Sequence, residues 1–305
     1  MSDVITVVPP ARWSEALDRL LGNLADGARM AQKEVIRAAL AADPIQAAGF
    51  LGHFQGDALA AVCWLQMQPG RTATLWPPVG SGQGNIAAET ALVARAVELA
   101  RCQGAVLVQS LLLTDAGDDA KALRQAAFAH TADLLYLVSL STEFPRGSPT
   151  SDVTLVPHSA ADPARISELI ERSYRDTQDC PALNGVRAID DVIAGYRSVG
   201  RFRPDLWLIA RTADGDAGCL ILADHTPEPI WELIYLGVVP EFRGCGLGLE
   251  ITRDAQWLAA RENVERLVLA VDASNAPALD MYAQAGFVSW DRRSVFVRIV
   301  EPNAR

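Results

Sequence analysis

From Leu236 to Gly248 the sequence reads LGVVPEFRGCGLG, a strand-like run that stops at Pro240 and passes through a glycine-rich turn into a helical stretch. Gly244, Gly246 and Gly248 carry no side chain to hold a ligand away. Backbone N–H groups and the positive end of the helix are left to receive an anion. A pyrophosphate suits such a pocket, and Arg243 would add a charged donor. The same glycines would equally serve a tight turn that exists only for packing. The dinucleotide fingerprint G-x-G-x-x-G is a third reading: Gly244 and Gly246 begin it and Asp272 could stand for the ribose-binding acid, but Leu249 occupies the last required position. A carboxylate, Glu232, lies six residues before Val238 on one strand, and an even spacing places both on one face.

Other chemistries lack their residues. His53, His130, His158 and His225 have no metal-ligand spacing to one another or to cysteine, so no metal is expected. Ser81 has glycine neighbours at the wrong offsets for a hydrolase elbow. Only Lys33 and Lys121 occur, which excludes a phosphate loop ending in Gly-Lys and a Schiff-base lysine from the second half. The net charge of -10 opposes nucleic acid as a partner. Five cysteines (Cys63, Cys102, Cys180, Cys219, Cys245), odd in number and without a C-x-x-C pair, fit reduced thiols. The start, MSDVITVVPPARW, has no leader pattern and no run of about 18 apolar residues follows. The expectation is a cytoplasmic protein with no membrane partner.

The elements around the glycine turn define its setting. Strand-like runs DLWLIART, AGCLILAD and IWELIYLGVV precede it, the first two separated by the hairpin signal Asp214-Gly215. A helix from about Leu247 to Glu262, the strand RLVLAV, a short helix Ala276–Gln284 and the strands FVSWDRR and SVFVRIV follow. That order predicts a mixed α/β sheet flanked by helices. The first half repeats the order in weaker form, which predicts an internal duplication. Setting Val106–Val108 against Leu267–Leu269 brings Thr72–Gly80 opposite Leu233–Glu241, Leu123 near Tyr282, and Asp115 or Ala116 near Asn275. The Pro/Gly-rich segment FPRGSPTSD, from Phe144 to Asp152, is the linker candidate, dividing the chain into domains 1–147 and 151–305.

Asn275 to Phe287 reads NAPALDMYAQAGF, and with it the sequence resembles the GNAT superfamily of acyl-CoA-dependent N-acyltransferases. Its acyl-CoA motif R-x-x-G-x-G/A is matched by Arg243, Gly246 and Gly248, and its second motif by Asn275, Ala278, Tyr282, Gly286 and Phe287. The resemblance covers about residues 152–300 by motif and the first half only by order of elements, a tandem arrangement like that of mycothiol synthase. It implies two copies, each a mostly antiparallel sheet with a central parallel pair flanked by helices. Acetyl-CoA would be the donor and a small-molecule or peptide amine the acceptor. The backbone at Val238 and Val239 would meet the pantetheine arm, and the amides from Arg243 through Gly244, Cys245, Gly246 and Leu247 to Gly248 the pyrophosphate, with Asn275 nearby. Tyr282 would be the general acid for the leaving thiolate and Glu232 the general base. The loop bearing Asp176 and Asp179 would hold a cationic amine. In the first copy PPVGSGQGN keeps Gly80, Gly82 and Gly84 but has no arginine, and leucine stands for the tyrosine. A degenerate first copy follows, with a non-catalytic acyl-CoA sensor as the rival for the whole chain.

Overall fold

Alternating apolar runs build strands and 3.6-residue patterns build the helices that cover them. The structure, a computed structural model, describes residues 3–80, 86–114, 117–149, 152–159 and 162–301. It divides into two compact units, Met1–Thr131 with Ser294–Arg305, and Ala132–Arg293.

The first unit runs β1 (Asp3–Val7), α1 (Trp13–Leu20), α2 (Asp26–Ala42), α3 (Pro44–Ala48), β2 (Phe50–Gln55), β3 (Ala58–Gln68), β4 (Thr72–Gly80), α4 (Ile86–Cys102), β5 (Leu107–Leu113) and α5 (Gly117–Gln125). Strands β1 to β4 are successively antiparallel, and β4 pairs with β5 in parallel over Thr72–Thr74 and Leu107–Gln109. Its cores lie on both faces of that sheet, one around Leu75, Leu92 and Phe128, the other around Leu17, Phe50 and Trp64.

Continuing the chain are β6 (Ala129–Leu140), β7 (Thr154–Pro157), α6 (Pro163–Tyr174), α7 (Ile189–Arg197), β8 (Trp207–Thr212), β9 (Gly215–Asp224), β10 (Ile230–Val238), α8 (Leu247–Arg261), β11 (Arg266–Asp272), α9 (Ala276–Gln284) and β12 (Val288–Ile299). In the second unit the strands lie in the order β6-β11-β10-β9-β8-β7. All neighbours are antiparallel except β10 and β11, which α8 connects as a parallel crossover. Helices α8 and α9 pack on one face through Ile251, Ala255 and Tyr282. Helices α6 and α7 cover the other through Ile166, Ile170 and Ile193.

The two-copy, mixed-sheet reading therefore holds, but the compact units do not divide at Phe144–Asp152. Phe144 is buried in the second unit's core. From Ala132 onward β6 belongs to the second unit, where Leu134–Leu140 pairs with β11. The end of β12 belongs to the first unit, where Val300 N donates to Val106 O and Phe296 joins the core. Each copy thus takes its last strand from the other half of the sequence, because an edge next to the parallel pair accepts any chain that satisfies its N–H and C=O groups.

Candidate functional site

The parallel ladder between β10 and β11 is short. It comprises Ile230↔Arg266, Trp231↔Leu267 and Glu232↔Val268, and then the strands part. Beyond that fork lies a cavity of about 500 Å³, bounded by Leu233–Val238 on one arm and Ala270 and Val271 on the other. Helices on both faces of the sheet contribute to it, with Ser173, Asp176 and Asp179 from the α6 side and Met281 and Tyr282 from α9.

Glu232 is the last paired residue before the fork, but it does not share a face with Val238. Pairing with β9 passes from Leu233↔Leu222 to Tyr235↔Ile221, leaving Ile234 as an inserted residue. A bulge of one residue reverses the alternation. Leu236 and Val238 consequently pack with α8 and α9. Glu232 lies on the opposite face, that of Tyr235 and Gly237, and is not among the residues lining the cavity. Its Oε2 lies 2.9 Å from His225 Nε2. Beside the fork, Tyr235 and Ser173 share a hydroxyl hydrogen bond of 2.6 Å, and Tyr235 stacks on Tyr196. Burial pushes the Tyr235 phenol far above its ordinary range.

At the other end of β10 the glycine turn has the form expected for an anion cradle. Gly244 and Gly246 adopt φ of 78° and 86°, where an L side chain is strained. A Cβ at Gly248 would meet Met281 Sδ at 2.6 Å. Among the described residues none accepts a hydrogen bond from the N–H of Gly244, Cys245, Gly246, Leu247 or Gly248. Gly244, Gly246, Leu247 and Gly248 line the cavity, whereas Cys245 does not.

Arg243 lines the cavity too, yet its side chain is already spent. Nε donates to Val238 O at 3.0 Å, Nη2 to Ser173 O at 2.7 Å, and Nη1 to Arg175 O at 2.8 Å and Asp176 O at 3.2 Å. A guanidinium beside the last carbonyls of α6 satisfies groups the helix cannot satisfy itself and complements its negative end. Its own N–H is engaged with Pro240 O. The side chain is a staple between α6 and β10, which corrects its expected role as a charged donor to an anion. The expected backbone contacts change as well. Val238 O is taken by Arg243, and Val239 N donates to Ala217 O. Val239 is fully buried in the α6/α7 core and does not reach the cavity.

Tyr282 lines the cavity while only 6% exposed, its ring against Phe287 and its hydroxyl given to no described residue. Burial, then the charge of Asp179, pushes its phenol well up, so the hydroxyl keeps its proton. Asp179 Oδ1 accepts from Asp272 N at 3.0 Å, and Asp272 Oδ2 accepts from Cys180 N at 3.1 Å, a reciprocal tie between the α6–α7 loop and the end of β11. Although Asp179 is exposed, the protein atoms crowded around its carboxyl and then the charge of Asp272 raise it, against that hydrogen bond. Asp272 is buried and also accepts from Ser274, which leaves no ribose-binding role for it. The Cys180 thiol is pushed up to about 12 by burial and the neighbouring carboxylates, so it is not a reactive thiolate. Asp176, also on the cavity wall, is exposed. Asn275 lines the cavity, but its Oδ1 caps α9 by accepting from Ala278 N at 3.3 Å.

The first unit repeats the frame with other side chains at the corresponding places. Thr72↔Leu107 corresponds to Ile230↔Arg266, two to three residues away from the alignment drawn on sequence alone. Thr74, hydrogen-bonded by Gln109 at 3.2 Å, then stands where Glu232 stands. Phe128 N donates to Leu123 O at 3.0 Å as Phe287 N does to Tyr282 O, and Ala127 takes the positive φ of Gly286. Leu123 is therefore the counterpart of Tyr282. Gly82, Gly84, Asp115 and Ala116 lie outside the described residues. Among the described residues no group of three or more His, Cys, Asp or Glu could hold a metal ion, and no helix is long and apolar enough to cross a membrane.

Residues 158–287 match the acetyltransferase (GNAT) family. A mycothiol acetyltransferase of Acidothermus cellulolyticus is 36% identical over 74 residues, 24% of this chain and 23% of that protein. The chain thus matches less than a quarter of that relative's length. A GCN5-related N-acetyltransferase from Sphaerobacter thermophilus superposes over 99% of this chain and 97% of its own with a TM-score of 0.67 at 16% identity. A tandem GNAT protein from the clavulanic acid biosynthesis pathway superposes over 99% and 100% with a TM-score of 0.53, also at 16% identity. The forked sheet, the glycine turn and both motifs fall within the matched residues, and over that part of its length the chain is similar to the acetyltransferase (GNAT) family.

Proposed function

We propose that the second unit transfers an acetyl group from acetyl-CoA to a primary amine of a small molecule, and that the first unit does no chemistry. The observation that carries this reading is the cavity at the fork of β10 and β11, which joins unpartnered N–H groups at the glycine turn to the free hydroxyl of Tyr282. The turn suits the donor's pyrophosphate. The relatives named as mycothiol acetyltransferases favour a small acceptor over a protein.

The sheet separates the two proton transfers. The amine nitrogen attacks the thioester carbonyl from the α6/α7 face, where Glu232 takes its proton at the head of the fork. The carbon–sulfur bond breaks toward the α8/α9 face, where Tyr282 gives its proton to the departing thiolate. An amide and a free thiol result. Asp179 and Asp176, on the α6 side of the cavity, attract a cationic amine before it loses its proton.

Release of free thiol from acetyl-CoA, followed across a panel of small amines, tests the reading. Tyr282→Phe should lower kcat by about 100-fold with acetyl-CoA affinity unchanged, since a phenyl ring keeps the packing and loses the proton. No thiol release with any amine, alongside tight acetyl-CoA binding, would instead identify an acyl-CoA sensor.

A further inference from the structure

Resting on the proposed role of Glu232, we infer that His225 is the positioning partner of that carboxylate and the outlet for the proton it takes from the amine. The residues flank one hairpin, His225 just past the end of β9 and Glu232 two residues into β10. His225 Nε2 and Glu232 Oε2 are 2.9 Å apart, and the side chains are 32% and 34% exposed, so each keeps a path to solvent.

The turn between them is held from within. Asp224 Oδ1 accepts from Thr226 N at 2.9 Å and from Thr226 Oγ1 at 2.7 Å. His225 N donates to Ile230 O, and its carbonyl accepts from Glu228 N, each at 3.0 Å. Pro229 O accepts from the N–H groups of Glu265 and Arg266 at the start of β11. The imidazole therefore sits on a rigid support, which fixes the carboxylate next to the fork. A carboxylate on a strand end could otherwise swing among rotamers, at a cost in orientation each time it must meet the amine.

A base that has taken a proton must lose it before the next turnover. While the carboxylate is charged, Nε2–H of His225 donates to it and holds it; once Glu232 is protonated, the tautomer with its proton on Nδ1 accepts the new proton at Nε2 and releases the one on Nδ1 to water, restoring the carboxylate and, after the tautomer resets, the original hydrogen bond. Nothing else is consumed. The surrounding charges leave this route open. On β9 the buried Asp224 is turned to Thr226 and lies 3.8 Å from Arg203. Glu228 shares the turn, and Glu265 and Arg266 engage it through their backbone. On β11 the residue opposite Glu232 is Val268, which carries no charge. From β6 the Tyr136 phenol feels the charge of Glu232, and from β12 Arg293 and Asp291 bear on Tyr136 while paired with each other at 2.8 Å.

The pH dependence of turnover should then change when the side chain at 225 can no longer exchange a proton with Glu232. The test is kcat/KM from pH 4.5 to 9 for the full chain, His225→Gln, His225→Ala and Glu232→Gln, with acetyl-CoA affinity measured for each. His225→Gln keeps a hydrogen-bond donor near the carboxylate but cannot titrate. We expect it to move the acid limb of the profile, with acetyl-CoA affinity within twofold of the parent. His225→Ala should lose a further tenfold in kcat because the carboxylate is no longer held, and His225→Gln should restore that part. An acid limb at the same pH in His225→Gln overturns the inference. Unchanged turnover in Glu232→Gln overturns the underlying assignment of the base instead, so the two failures are distinguishable.

Discussion

At the scale of single residues, one guanidinium does most to hold the site together. Arg243 donates four hydrogen bonds to carbonyls of Val238, Ser173, Arg175 and Asp176. Removing it leaves partly buried acceptors unpaired, so Arg243→Met should lower stability by about 2–4 kcal/mol in denaturant melts. A variant that melts like the parent and loses only acetyl-CoA affinity would return Arg243 to the anion. Asp254 makes a second prediction. Burial and the charge of Glu250 raise its carboxyl to about 6. A carboxyl raised in the fold opposes folding once it ionises, so this penalty is absent below the unfolded value near about 4 and complete above the folded one. Asp254→Asn should therefore raise stability at pH 7.5 by about 1–2 kcal/mol and leave it unchanged at pH 3.5, as read by melts at both values. Residue types pointed to the tyrosine and the glycine turn, because each belongs to a local motif. They did not reveal the destination of the Arg243 side chain, since Ser173 and Asp176 lie about 70 residues earlier in the chain.

Elements set where those residues point. Strands β8 to β11 and helix α8 stand within a few residues of their places in the sequence pattern and α9 starts and stops where expected, whereas the runs FVSWDRR and SVFVRIV, read as two strands, form the single strand β12. The bulge at Ile234 was not legible, because the run Leu233–Leu236 is apolar on both faces and gives no alternation to break. That one insertion put Glu232 and Val238 on opposite faces. His225 was missed for a related reason: its partner is seven residues away across a turn, a distance that matters only once the hairpin is drawn. The turn into α8 is the element most sensitive to change. Gly246→Asp should abolish measurable acetyl-CoA binding, since it strains a residue at φ 86° and sets a carboxylate among the anion's N–H groups. Calorimetry on the folded variant checks this, and unchanged affinity would remove the turn from the donor site.

Across the whole molecule the duplication was legible from the repeated order of elements, and the exchange of last strands was not. A linker rich in proline and glycine reads as a boundary whatever the strands before and after it pair with. The first copy keeps the three-pair parallel ladder but holds Thr74 and Leu123 at the places of Glu232 and Tyr282. A leucine has no proton to give a thiolate. The measurement that bears most directly on the central claim is acetyl transfer by the full chain carrying Tyr282→Phe and Gly246→Asp together, against an amine that the parent acetylates. Circular dichroism on the same sample would show that it is folded. Activity below about 1% of the parent is the result expected, since both lesions fall in the second unit and the first holds no replacement. Substantial remaining transfer would contradict the account and place the chemistry in the first copy.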